Sequence, residues 1–100
     1  MTAMNIVHVR VKPDHEEAFI KLHEDLAGED MPGARAAWLV NTGERSYCIV
    51  GEWDSFDAIV SARPTMIGTL DRMRHMLEDL GGGRGVTEPY SGEVVVEHKA

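Results

Sequence analysis

Five histidines, one tryptophan at a strand end and an arginine beside a proline are the residues of this chain best suited to chemistry. An imidazole titrates near neutrality, so His8, His15, His23, His75 and His98 are each a place to look for a general base or a metal ligand. In "EEAFIKLHEDL", His23 falls on the shoulder of the stripe made by Phe19, Leu22 and Leu26. From there its ring reaches the edge of any cavity under the helix, where it would take a proton from a bound substrate. His8 shares a strand face with Arg10. His75 lies opposite an apolar stripe with Asp71 one turn before it, a solvated position, and His15 is expected to be exposed in a first helical turn. His98 is close to the chain end. No two histidines have the His-x-x-x-His spacing and no carboxylate–histidine cluster recurs, so no metal site is expected.

The second group is aromatic and apolar. In "SYCIVGEW", Tyr47, Ile49 and Trp53 fall on one side of a strand and Cys48 and Val50 on the other. Trp53 and Tyr47 are expected on the helix-facing side, lining a cavity with Val7, Phe19, Met66, Leu70 and Met73. Methionines give such a wall a pliable surface that suits a flat ligand. Arg63 is placed to hold an anionic oxygen. Cys48 is the only cysteine, which excludes an internal disulfide and a Cys-rich metal site. "GGGRG" follows a helix instead of opening one, so it reads as a C-cap and turn and not a phosphate cradle.

These side chains need elements to carry them. "NIVHVRVKP" alternates, with Val7, Val9 and Val11 on one face and Ile6, His8 and Arg10 on the other, and it stops at Pro13. Asp14 with Glu17 has capping-box spacing, and Gly28 is the expected end of that helix. Two apolar runs flank "NTGE", residues 41–44, as a hairpin. Asp54 is the expected cap of a second helical region. Pro64 predicts a break there: a short helix to about Ala62, then a longer one from Pro64 to Leu80. "VTEPYSG" reads as loop and "EVVVEHK" as a final strand. The order β-α-β-β-α-β predicts a ferredoxin-like α+β fold, a four-stranded antiparallel sheet with both helices on one face.

Residues 1–100 are expected to form one domain, with 43% hydrophobic content, no repeat and no linker. Ten Lys and Arg against seventeen Asp and Glu cannot supply the basic face that nucleic acid requires. No apolar run approaches 18 residues and no secretory signal is visible, so a cytoplasmic protein without membrane association is expected. The sheet face away from the helices carries His8 and Arg10 among apolar residues. A second copy of the chain is its expected cover, forming a homodimer.

"VHVRVKPDHEEAFIKL", "YCIVGEWDSFDAIVSA" and "PYSGEVVVEH" together resemble the dimeric α+β barrel superfamily, and within it the antibiotic-biosynthesis-monooxygenase (ABM-like) domains. The resemblance implies dimers whose sheets close into a barrel, with a ligand cavity between sheet and helices. Activities in that superfamily include cofactor-independent oxidation of aromatic polyketides, quinol oxidation and haem degradation. Haem-degrading members use an Asn on the first strand, a Trp ending the third strand and a His on the next helix. Trp53 matches the second position. Counted from "KPD", Val7 stands at the first, with Asn5 two residues away, and Arg63 stands at the third, which disfavours haem degradation. The expectation is a monooxygenase without a bound cofactor, acting on a small aromatic or quinol-type substrate. In that reading Trp53 and Tyr47 pack on the substrate, His23 is the base and Arg63 the anion holder. The alternative is a non-catalytic dimeric binding or scaffold protein on the same fold.

Overall fold

The computed structural model describes residues 1–26 and 31–99. The elements are β1 (Ala3–Arg10), α1 (Glu16–Leu26), β2 (Ala34–Gly43), β3 (Ser46–Trp53), α2 (Phe56–Asp71), a 3₁₀ turn at Arg74–Met76, and β4 (Glu88–Glu93). The four strands form one antiparallel sheet in the order β2-β3-β1-β4, the ferredoxin-like arrangement. The expected helix stop at Gly28 lies outside the described residues.

Local chemistry moves several boundaries. His15 N donates to Lys12 O at 3.2 Å across a turn with Pro13 in its second place and Asp14 at φ 67° in its third. Proline followed by a positive φ is the signature of a type II turn, and aspartate tolerates that conformation. Asp14 is therefore used in the turn and does not cap the helix. His15 O accepts the first helical bond, from Phe19 N at 2.9 Å. In the hairpin, Gly43 pairs with Ser46, so Glu44 and Arg45 (φ 56°) make the turn, beyond the expected cluster at 41–44. Arg45 is fastened there by its Nη1, which donates to Val11 O (3.0 Å) and Glu78 (2.7 Å).

Ser55, not Asp54, caps α2: its Oγ accepts from Ala58 N at 3.2 Å. Asp54 instead accepts from Arg35 Nε at 2.6 Å, and this bond raises the guanidinium pKa. The helix does not break at Pro64 but runs through it. Proline deprives the Val60 carbonyl of its helical donor. Val60 and Pro64 are both exposed, so water can serve that carbonyl. The helix ends at Asp71, short of the expected Leu80. The chain then bends so that Leu77 bridges to Val11 and Glu78 N donates to Arg10 O. Met73, Met76 and Leu77 stay buried, held by pairing with the end of β1 instead of by helical repeat.

The last strand is also displaced. β4 is "EPYSGE", which takes five residues from the expected loop and only Glu93 from the expected strand, and the valine run after it is not in the sheet. Val94 N reaches Thr2 O, but β1 begins at Ala3, and Val95 and Val96 are exposed beyond the sheet. Pro89 is tolerated because β4 is an edge strand, where a missing N–H breaks no inner ladder.

Helices cover one face of the sheet. Beneath them lie two clusters, one around Val9, Phe19, Tyr47 and Met73, the other around Ala3, Trp53, Ile59 and Ala62. On the opposite face Trp38, Val50, Ile6 and Tyr90 are register neighbours, one from each strand, forming an apolar row across the sheet. Trp38 is 48% exposed and Tyr90 62%. Among the described residues, no helix is long and apolar enough to cross a membrane.

Candidate functional site

Trp53 ends β3 on the helix-facing side and is almost fully buried. Its Nε1–H donates to the Asn5 side-chain oxygen at 2.6 Å. Asn5 lies on β1 directly opposite Gly51, so the bond runs diagonally over that glycine. A Cβ added to Gly51 would collide with Asn5 Oδ1 and stand 2.8 Å from Trp53 Nε1. Glycine here is a close-approach residue, the usual meaning of a glycine inside a strand. Indole N–H only donates, so the atom facing it is the carboxamide oxygen. The Asn5 nitrogen consequently points away, toward Met66 Sδ on α2, at 3.9 Å.

Burial along the layer between sheet and helices is uneven. At one end Ala3 and Trp53 are buried, at the other Val9 and Tyr47. Between them Asn5, Val7, Leu39 and Ile49 are only half-buried, and so are Met66 and Leu70 on α2 and Leu22 and His23 on α1. A filled core would be driest at its centre. This layer is most fully buried at its ends and only part-buried in its middle, where Val7, Leu22, Leu39, Ile49 and Leu70 pack against the larger cluster. That middle is apolar, with the Asn5 carboxamide as a polar group on the sheet side.

The residues singled out in the sequence are divided between the two ends. Trp53 and Met66 belong to one cluster; Phe19, Tyr47 and Met73 belong to the other, with Val7 and Leu70 packed against it. His23 stacks on Phe19 (ring centroids 4.5 Å), and Phe19 on Tyr47 (5.3 Å). His23 Nδ1 is 2.9 Å from Phe19 O. A carbonyl only accepts, so Nδ1 carries the proton and Nε2 is left as the acceptor, the form a base requires. The Tyr47 hydroxyl donates to Glu16 over a long 3.3 Å. Arg63 is on the exposed side of α2 with its guanidinium over the Phe56 ring, 5.8 Å from its centroid.

His8 and Arg10 are on the open face. His8 Nε2 bonds Ser46 Oγ (3.0 Å), Ser46 bonds Thr42 Oγ1 (2.8 Å), and Glu88 lies 4.0 Å from His8 Nδ1. A shallow depression on the outer side of α1 is lined by Glu17, Ala18, Ile20, Lys21 and Glu24, away from the layer between sheet and helices. Reading by sequence alone set Asn5 aside as two residues from the family position and passed over Gly51. Asn5 has the parity of Val7 and Val9, and a glycine interrupts the β3 alternation two residues before the tryptophan; those two signals together point to the pair.

A family model, that of the antibiotic biosynthesis monooxygenases, matches residues 2–63, which include Asn5, His23, Gly51 and Trp53. The chain belongs to that family. Three solved structures show how widely its fold is shared. Rv0793 from Mycobacterium tuberculosis superposes with TM-score 0.75 at 13% identity, covering 99% of this chain and 100% of that one. A variant of SnoaB, a cofactor-independent oxygenase from Streptomyces nogalater, gives 0.66 at 16% identity, over 96% and 95%. The heme-degrader MhuD from M. tuberculosis, with two hemes bound in its active site, gives 0.66 at 19% identity, over 97% and 99%. At these identities the likeness is one of fold. Among curated proteins, none matches the sequence.

Proposed function

We propose that this ABM-family protein is a cofactor-independent monooxygenase of the cytoplasm, acting on a small aromatic or quinol-type substrate held between sheet and helices. The observation that supports the reading most is the Asn5–Trp53 pair beside the apolar, part-buried middle of the layer between sheet and helices. Chemistry of this kind asks the protein to desolvate an electron-rich ring, orient it and remove a proton. One atom of dioxygen then enters the substrate and the other leaves as water, with the substrate supplying the electrons. Trp53 and Met66 offer a flat apolar wall, Asn5 a polar anchor, and His23 Nε2 the acceptor for the proton. Arg63, turned to the outside over Phe56, has no part in this arrangement. Its place on α2 is the one from which haem-degrading relatives present a histidine, so haem is not the substrate we favour.

The protein acts as a homodimer in this reading. The row Trp38–Val50–Ile6–Tyr90 is apolar and can complement itself across a twofold axis, and a sheet face of that kind calls for a cover. The test is oxygen consumption with a panel of aromatic quinols and polyphenols, alongside binding. Turnover that falls at least tenfold in both Trp53→Phe and His23→Gln supports the enzyme. Saturable binding without oxygen uptake supports the second reading, a dimeric ligand-binding protein. The separation of the Phe19–His23 end from the Trp53 end favours that second reading.

A further inference from the structure

Beside the apolar row on the open sheet face runs a second row that carries charge. Val40, Cys48, His8 and Glu88 are register neighbours, one from each strand, and His8 stands two residues along β1 from Ile6 of the apolar row. We propose that this row is a pH switch of the homodimer: His8 is neutral while two sheets are closed on each other, and its protonation drives them apart. The switch rests on the homodimer reading and adds regulation to it. A sheet that covers Ile6 also covers His8, because both side chains rise from the same face of one strand.

Charge sets the direction of the switch, and hydrogen bonding does not. His8 Nε2 is 3.0 Å from Ser46 Oγ, which shares a bond of 2.8 Å with Thr42 on β2. A hydroxyl donates or accepts, so the bond to His8 survives in either state of the imidazole. From β3 the ring also faces the Cys48 thiol, and the phenol of Tyr90 lies one row away on β4. Arg45, in the adjoining hairpin turn, is directed to Val11 and Glu78. The charges near the ring are therefore Arg10 on β1, Glu88 on β4 and Arg84 before it. Glu88 lies 4.0 Å from His8 Nδ1, beyond hydrogen-bond reach, and its carboxylate accepts from Arg84 Nη1 at 2.7 Å. Two arginines against one carboxylate leave a positive charge around neutral His8. Protonation adds another, and a twofold axis brings the same set from the partner. A covering sheet also takes water from a side chain that is only 33% exposed, which penalises the charged imidazole.

The chain as a whole is acidic, with a net charge of −7 when its histidines are neutral. Protonating histidines brings that charge nearer to zero, so a general charge effect tightens association as pH falls. The switch acts in the opposite direction, and this separates the two.

The test is sedimentation equilibrium of the full chain at about pH 8 and about pH 5.5, on either side of the imidazole range, at one ionic strength. The native dimer is expected to weaken at least tenfold at the lower pH with its circular dichroism unchanged. His8→Gln can still bond Ser46 but cannot become charged. It should dimerise within threefold of the native chain at the higher pH and lose the fall at the lower one. Arg10→Gln, at an exposed position, removes a repelling charge and should reduce the fall. A native dimer as tight or tighter at the lower pH overturns the switch while the dimer stands. So does a fall that comes with lost circular dichroism, persists in His8→Gln or is undiminished in Arg10→Gln. A native chain that is monomeric at the higher pH overturns the homodimer and the switch with it.

Discussion

Asn5 and Trp53 meet across Gly51, a bond of 2.6 Å between adjacent strands that exists because the residue beneath it has no side chain. Gly51→Ala must therefore displace one partner or the other. We expect a loss of about 1–3 kcal/mol, the usual range for a buried small-to-large change. In an Asn5→Ala background the colliding oxygen is gone and the same substitution should cost less. A double-mutant cycle by thermal or urea denaturation reads the coupling, and strict additivity would mean that the two residues do not meet.

The helix cap gives a second comparison. Ser55 satisfies a first-turn N–H of α2, whereas Asp54 holds an exposed ion pair with Arg35. Ser55→Ala should destabilise by about 1 kcal/mol. Asp54→Ala should cost less than Ser55→Ala, since surface pairs contribute little, and its effect should shrink as salt is added. Denaturation in low and high salt separates the two.

Pro64 interrupts the hydrogen bonding of a helix that continues on both sides of it. Pro64→Ala restores the bond to the Val60 carbonyl and removes a clash with it, a gain of up to about 3 kcal/mol. The freer unfolded chain takes back roughly 0.4–1 kcal/mol. We expect a net rise in Tm. A fall would show that the proline ring itself packs in the native protein.

Phe19 is fully buried between His23 and Tyr47. Phe19→Ala should cost about 3–5 kcal/mol and release His23 from its ring contact. Phe19→Leu should retain most of the stability, with the histidine less well held. NMR titration of the His23 ring in the Leu variant would show the loosening.

The open sheet face supplies the fifth expectation. Ile6→Asp or Trp38→Asp puts a carboxylate into the apolar row without touching the helix-covered core. Light scattering coupled to gel filtration should show a monomer for the variants and a dimer for the native chain, with the far-ultraviolet circular dichroism unchanged. A native chain that elutes as a monomer would remove the twofold cover from the proposal.

Element order, strand faces and the family resemblance were legible in the chain because periodicity is a local property. Val7, Val9 and Val11 alternate whatever lies around them, and Phe19 and Leu22 form a stripe from spacing alone. Boundaries were not legible, because each depended on a partner remote in sequence. Asp14 has the spacing of a cap but is held in a turn by Pro13, and Pro64 looks like a break but faces water. The run "VVVEHK" has every mark of a strand, yet β1 begins too late to pair with it, so β4 forms from "EPYSGE" instead. The candidate site shows the same division. That Trp53 ends a strand beneath a methionine-bearing helix is readable from the chain without its fold. Its partnership with Asn5 arises on folding, because the register that sets Asn5 opposite Gly51 is a property of two strands paired, and neither strand carries it alone.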